Sequence, residues 1–227
     1  MNVTLLRADD GSVILEALRV CKDKVVTVDT IRKIIKNGEE SPLEHIVYSF
    51  KVDGISRVCL AQLTRHRMAS YSVSSQRSID QSDAEFYVPE NLPKAIKTHM
   101  EKHYEKCAMS YHWLIKHGVK QEDARFVLPE ATLVNVVMTI NLRSLRNFLK
   151  LRLDSHAQTE IRELANKICD LIPAMYVEDI RPTLPISVGS VGDVLTTTLK
   201  WSRPDCEKNP FPGSWDGGMF NAPDVQE

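Results

Sequence analysis

Two stretches of the chain carry side chains whose types and spacing can do chemistry. The first is Arg65-His66-Arg67-Met68-Ala69-Ser70-Tyr71-Ser72-Val73-Ser74-Ser75-Gln76-Arg77, where basic side chains run into five hydroxyl residues and another arginine. Guanidinium forks with hydroxyl or backbone donors match phosphate oxygens, so this is anion-binding chemistry. A plainer reading stands beside it: Arg65 and Arg67 complement the negative end of a helix dipole, and the serines form a solvated loop. The second stretch is residues 141–158, NLRSLRNFLKLRLDSHAQ. Arg143 and Asn147 lie four apart on one helical face with donors aimed the same way, and Arg152 stands where that helix ends. On pattern alone, a surface helix with ordinary salt links is the simpler reading of it.

The elements that must position these residues follow from periodicity. Residues 2–7 read as a strand, and residues 12–21 carry Val13, Leu15, Leu18 and Val20 in a helix-like distribution. Asp29 is expected to N-cap a helix with Ile31, Ile34 and Ile35 on one face, stopped by Gly38. Residues 46–52 have strand composition, ended by Asp53-Gly54. Ile55, Cys59 and Leu63 stack at intervals of four, which puts Arg65-His66-Arg67 at a helix's C-terminal end, and residues 70–83 are too polar for anything but a loop or an exposed site. A long amphipathic helix is expected over 93–117, with Ile96, Met100, Tyr104, Cys107, Tyr111 and Leu114 on its stripe and Gly118 closing it. A short helix over 121–127 and a buried strand over 133–140 follow, then helices over 142–151 and 155–172. The last of these has Ala157, Ile161, Leu164, Ile168 and Leu171 on one stripe, and Pro173 stops it. The whole reads as one α+β domain over 1–182, a mixed sheet with long helices, and then an irregular arm over 183–227 with Trp201, Phe211, Trp215 and Phe220 as anchors.

Composition narrows the function. With 29 Lys+Arg against 30 Asp+Glu, the net charge of −1 excludes a dominant polyanion-binding surface. That weighs against a nucleic-acid module built on Arg65, Arg67, Tyr71 and Arg77. At 43% hydrophobic and 26% charged residues, 227 residues bury a sizeable core, and overall disorder is excluded. The apolar run from Leu133 to Ile140 is broken by Asn135 and Thr139, so no membrane span is expected, nor a secretory signal. Cys21, Cys59, Cys107, Cys169 and Cys206 are odd in number and far apart, which fits reduced thiols in the cytoplasm. His99 and His103 lie four apart with His112 and His117 beyond, but Met100 follows His99 where HExxH needs Glu, so no metal is expected. Glu122, Asp123 and Glu130 make no defensible carboxylate pair, and without GxGxxG or a P-loop no Rossmann crevice is expected.

Together the stretches resemble the flavin-dependent thymidylate synthases. That family carries R-H-R-x7-S, which here is Arg65-His66-Arg67, seven residues, then Ser75. The resemblance continues through SPLEHIVYSFKVDGISR (41–57), EDARFVLP (122–129) and NLRSLRNFLKLRLDSHAQTEIRELA (141–165), in the same order, to about residue 180. It implies conversion of dUMP to dTMP, with methylenetetrahydrofolate as one-carbon donor and NADPH-reduced FAD as hydride source. It also implies a homotetramer with active sites shared between subunits. Arg152 matches the arginine that meets the uracil ring and helps ionise N3, where a guanidinium stabilises charge as C5 becomes nucleophilic. The other implied dUMP positions are Gln62, Arg65, Val73, Ser75, Gln76, Arg77 and Arg125. The implied FAD positions are Ser41, Arg65, His66, Arg67, Asn141, Arg143 and Asn147, with Val73 bordering both ligands.

No cysteine falls at a family nucleophile position, and Ser75 has no base placed to activate it, so it reads as a phosphate binder. His66, capable of acid–base work, reads as part of the flavin-holding turn. The chain departs from the family at four places. Glu39 replaces a histidine common near the flavin ring and folate, Ser78 replaces the tyrosine after the motif's last arginine, and Ser72 and Val73 replace the commoner Asn and Glu. Glu39 and Ser78 keep open a sibling enzyme that acts on C5 of UMP or dCMP, or leaves another group there. A homologue that binds nucleotide or flavin without turnover also stays open.

Overall fold

The structure, a computed structural model, describes residues 1–22 and 26–180, and the expected arm over 183–227 lies outside the described residues. Four strands, β1 (Asn2–Ala8), β2 (Val47–Ser56), β3 (Ala69–Val73) and β4 (Leu133–Asn141), form a sheet in the order β1-β2-β4-β3. Every neighbouring pair is antiparallel, so the sheet expected to be mixed is antiparallel throughout among the described residues. In β4, Val134, Val136, Met138 and Ile140 are buried while Asn135 and Val137 face out, the two-residue period of a strand with one face on the core. β2 adds Tyr48, Phe50 and Val52 to that core. It does not stop at Asp53-Gly54 as expected: its pairing with β4 shifts between Val52 and Ile55, Gly54 absorbs the irregularity at φ 74°, and the strand runs on to Ser56.

Seven helices accompany the sheet among the described residues: α1 (Ser12–Lys22), α2 (Val28–Lys36), α3 (Arg57–Leu63), α4 (Lys94–Lys116), α5 (Gln121–Ala124), α6 (Leu142–Arg152) and α7 (Thr159–Cys169). Leu18, Ile34, Leu63, Phe148 and Leu164 bring α1, α2, α3, α6 and α7 into one core with Phe50 and Met138 of the sheet. The longest helix, α4, stands apart. Its Tyr104 and Ala108 pack on Phe86 and Val88 in a smaller cluster, so Ile96, expected on the buried stripe, is 48% exposed.

Local chemistry moves several boundaries. Thr27, not Asp29, precedes α2 as its cap, and Asp29 lies in the first turn, where its charge suits the helix dipole. Ser56 caps α3 by accepting the Cys59 N–H at 3.0 Å, so the helix starts at Arg57, not Ile55. α7 starts at Thr159, not Ser155, because Asp154 closes a turn, its Oδ1 accepting the His156 N–H at 2.8 Å and its carbonyl the Ala157 N–H at 3.0 Å. The polar segment expected as loop begins with β3, an edge strand whose Ser70 and Ser72 face out.

Candidate functional site

α6 builds one wall of the site. Asn141 caps it, its Oδ1 accepting the Ser144 N–H at 2.8 Å. Leu142, Leu145, Phe148 and Leu149 are wholly or almost wholly buried. At roughly 1.5–3 kcal/mol each, burial of these side chains outweighs any ion pair on the other face, so the core sets the rotation of the helix. Arg143 and Asn147 are thereby left exposed, with Arg152 as its last residue.

α3 delivers the other wall. Glu160 of α7, wholly buried, accepts the Ser56 N–H at 2.7 Å and the Ser56 hydroxyl at 2.5 Å. Burial pushes the Glu160 carboxyl up, over the opposing hydrogen bonds from Ser56. From this anchored start α3 runs to Leu63, with Thr64 as its C-cap, so Arg65-His66-Arg67 lies in the turn beyond the helix. Tyr71 of β3 holds that turn: its hydroxyl lies 3.0 Å from the Leu63 carbonyl and 2.9 Å from the His66 carbonyl, sharing one proton between them.

Between the walls lies a cavity of about 810 Å³, lined by Arg65, His66, Arg67, Asn141, Arg143, Asn147 and Arg152, with Glu40, Glu44, Met68, Ser144 and Leu151 completing it. Its size suits a small-molecule ligand, and its guanidinium and amide donors suit an anionic one. Arg143 is paired with Glu44 at 2.5 Å. Arg152 Nε donates to His66 Nε2 at 3.1 Å, and its Nη2 donates to the Gln62 carbonyl at 3.3 Å. Burial first, then the charges of Arg152 and Arg65, hold the His66 imidazole below its ordinary value. The wall at Glu40 is braced by Arg146, wholly buried, which donates to Glu40 at 3.0 Å and to Asp179 at 2.8 Å, and also to the Tyr176 carbonyl. Burial pushes the Glu40 carboxyl up, but hydrogen bonds from Lys150 and Arg146 outweigh it and hold the group below the carboxylate range.

The remaining sequence-predicted residues do not line this cavity. Ser41 begins the 3-10 turn Ser41–His45, between the lining residues Glu40 and Glu44. Gln62 is half-buried, its carbonyl accepting from Arg152 while its side-chain amide donates to Gln158. Val73 ends β3, and Ser75, Gln76, Arg77 and Arg125 gather beyond it. There Glu122 Oε2 accepts from Arg77 Nη2 at 2.9 Å, and its carbonyl accepts from Arg125 Nε at 3.0 Å. Gln76 is buried with its amide nitrogen unpartnered. β3 covers about 13 Å from Ala69 to Val73 at roughly 3.3 Å per residue, which sets the two groups apart. Glu39, the departure noted in sequence, is exposed and does not line the cavity, whereas its neighbour Glu40 does.

Sequence reasoning missed Arg146, Glu40 and Glu160, and it weighed Glu122 only as half of a carboxylate pair, not as the partner of Arg77 and Arg125. Nothing local announces Arg146, whose carboxylate partners are 106 and 33 residues away. Glu160 had a signal: it falls between Ala157 and Leu164 on the apolar stripe, where an acid needs a partner. Cys59 is buried, and burial pushes its thiol up, away from reactivity. Among the described residues no group of His, Cys, Asp and Glu could hold a metal ion, and no helix is long and apolar enough to cross a membrane.

Comparison with known proteins identifies the family. Residues 4–176 match the family described as thymidylate synthase complementing protein. The chain is 42% identical over 158 residues to a flavin-dependent thymidylate synthase of Pyrococcus furiosus, covering 67% of this chain and 64% of that one. It is 43% identical over 149 residues to that of Sulfurisphaera tokodaii, covering 64% of this chain and 58% of the relative. The match thus spans about three fifths of the length of these curated relatives. Helicobacter pylori thymidylate synthase X, solved with FAD and dUMP, superimposes with a TM-score of 0.69 at 25% identity, over 79% of this chain and 97% of that one.

Proposed function

The chain belongs to the thymidylate synthase complementing protein family, and from that premise we propose that it converts dUMP to dTMP, taking the one-carbon unit from methylenetetrahydrofolate and the hydride from FAD reduced by NADPH. The observation that carries this reading is the convergence of residues 65–67 and 141–152 on one arginine-lined cavity. The Helicobacter pylori relative solved with FAD and dUMP supports both ligands.

The donor set fits FAD: its two phosphates call for guanidinium forks, which Arg65, Arg67 and Arg143 supply, with Asn141 and Asn147 beside them and Ser41 at the adjoining turn. When bound, FAD supplies the hydride that completes the new methyl group. Arg152 is the residue assigned to the pyrimidine. Its charge stabilises the anion that forms on the ring as C5 becomes nucleophilic. Ser75, Gln76, Arg77 and Arg125, with Val73, are assigned to dUMP as well. Because they lie off the cavity of their own chain, we read them as completing the site of another subunit in a homotetramer. The exposed Arg77 can exchange Glu122 for a phosphate, and the unpartnered Gln76 amide has a donor to offer. Free thiols at Cys21, Cys59 and Cys107 agree with a cytoplasmic setting.

The test is to purify the full chain, measure bound FAD, and follow dUMP-dependent oxidation of the reduced flavin with methylenetetrahydrofolate present, with UMP and dCMP as competing substrates and product mass as readout. Colourless protein that cannot be reconstituted with FAD sinks the reading. Arg152→Ala is expected to abolish turnover with FAD retained, and equal loss of FAD reassigns that residue.

A further inference from the structure

A single side-chain hydrogen bond joins the turn assigned to flavin with the arginine assigned to pyrimidine. Arg152 Nε donates to His66 Nε2 at 3.1 Å. A guanidinium offers only donors, so His66 Nε2 holds its lone pair and the ring proton sits on Nδ1. The ring has little freedom to turn away: it meets the buried Phe148 edge-on, with centroids 5.0 Å apart and planes at 82°, and its own backbone carbonyl accepts from Tyr71. Charge argues the same way. Arg152 and Arg65 are the charged groups that act on the imidazole, both cationic, and with burial they disfavour the imidazolium.

We propose that His66 is a positioning residue for Arg152: a neutral, Nδ1-protonated acceptor that fixes the tilt of the guanidinium and leaves its outer N–H groups for the pyrimidine. This rests on the assignment of Arg152 to dUMP made above. The Gln62 carbonyl, 3.3 Å from Nη2, is the second point of attachment. Two acceptors at different nitrogens hold a planar fork in one orientation, whereas one would let it pivot. An imidazolium at position 66 would turn acceptor into donor, repel the guanidinium and release it. His66 therefore acts on dUMP through Arg152, without touching the nucleotide.

Two measurements test this on the full-length, FAD-loaded protein. Two-bond 1H–15N spectra of histidine-labelled protein at neutral pH, with the His66 signals assigned by their loss in His66→Gln, should show an Nδ1-protonated ring. An Nε2-protonated ring or an imidazolium overturns the proposal, and this readout needs no nucleotide. The second is the dUMP dissociation constant at equal flavin loading. His66→Phe keeps a ring against Phe148 but removes the acceptor, and should weaken dUMP about tenfold, the size of one lost hydrogen bond to a charged group. His66→Gln keeps an oxygen acceptor and should recover most of that loss. Equal weakening in both variants overturns the positioning role. Wild-type protein that binds no dUMP overturns the substrate reading instead, and the tautomer still decides whether His66 accepts from Arg152.

Discussion

Arg146 and Arg77 are both paired with carboxylates, yet Arg146 is wholly buried between Glu40 and Asp179 while Arg77 is 65% exposed beside Glu122. The first pairing braces the wall of the cavity, and breaking such a pair costs about 3–5 kcal/mol because a charge is left without its partner. The second sits among the residues beyond β3, where an exposed pair contributes about 0–1 kcal/mol. The difference separates two jobs. A side chain that shapes the site needs partners it never leaves, and one that receives a ligand needs a partner it can exchange. Arg143, three residues before Arg146 on the same helix, is of the second kind: its Glu44 pair is half exposed at both ends.

The contrast can be broken by substitution. The largest effect is expected from Arg146→Met, about 3 kcal/mol in urea unfolding, at the low end for a buried pair because Asp179 is 44% exposed and rehydrates. The same variant should change the response to acid. Glu40 and Asp179 are held below their ordinary values of 4.5 and 3.8. The folded state therefore binds fewer protons than the unfolded one, and their contribution is complete above about pH 4.5 and lost as pH falls through the depressed values. Arg146→Met should flatten that acid limb; an unchanged limb would assign it to other carboxyls. Next comes Glu160→Ala, which strands the buried Ser56 N–H and should cost about 2 kcal/mol, read as a lowered Tm. Smallest is Glu122→Gln, expected within about 0.5 kcal/mol of wild type. A loss there as large as at Arg146 would erase the distinction between the two clusters.

What sequence could show follows the same division. α6 and β4 were legible because their periods, 3.6 and 2, are written in apolar residues facing one core. β3 was not, because it is only five residues long and its apolar positions, Ala69, Tyr71 and Val73, are only half-buried and alternate with serines. The cavity residues 65–67, 143, 147 and 152 were named from motif and spacing, since polar side chains on exposed or half-buried positions are free of the apolar pattern that the core imposes. Arg146 escaped for the reason that makes it informative: an arginine on a helix is ordinarily solvated, and only the tertiary fold brings Glu40 and Asp179 to it.

The seven residues between Arg67 and Ser75 have a meaning that only β3 explains. Met68 and Ser74 flank a five-residue strand in which Ala69, Tyr71 and Val73 pack toward the core and Ser70 and Ser72 do not. Gaining or losing one codon inside it would exchange the two faces and carry the Tyr71 hydroxyl away from the Leu63 and His66 carbonyls. The count of the segment therefore matters as much as its letters, and the gap in the motif is a length set by the pleat of a strand.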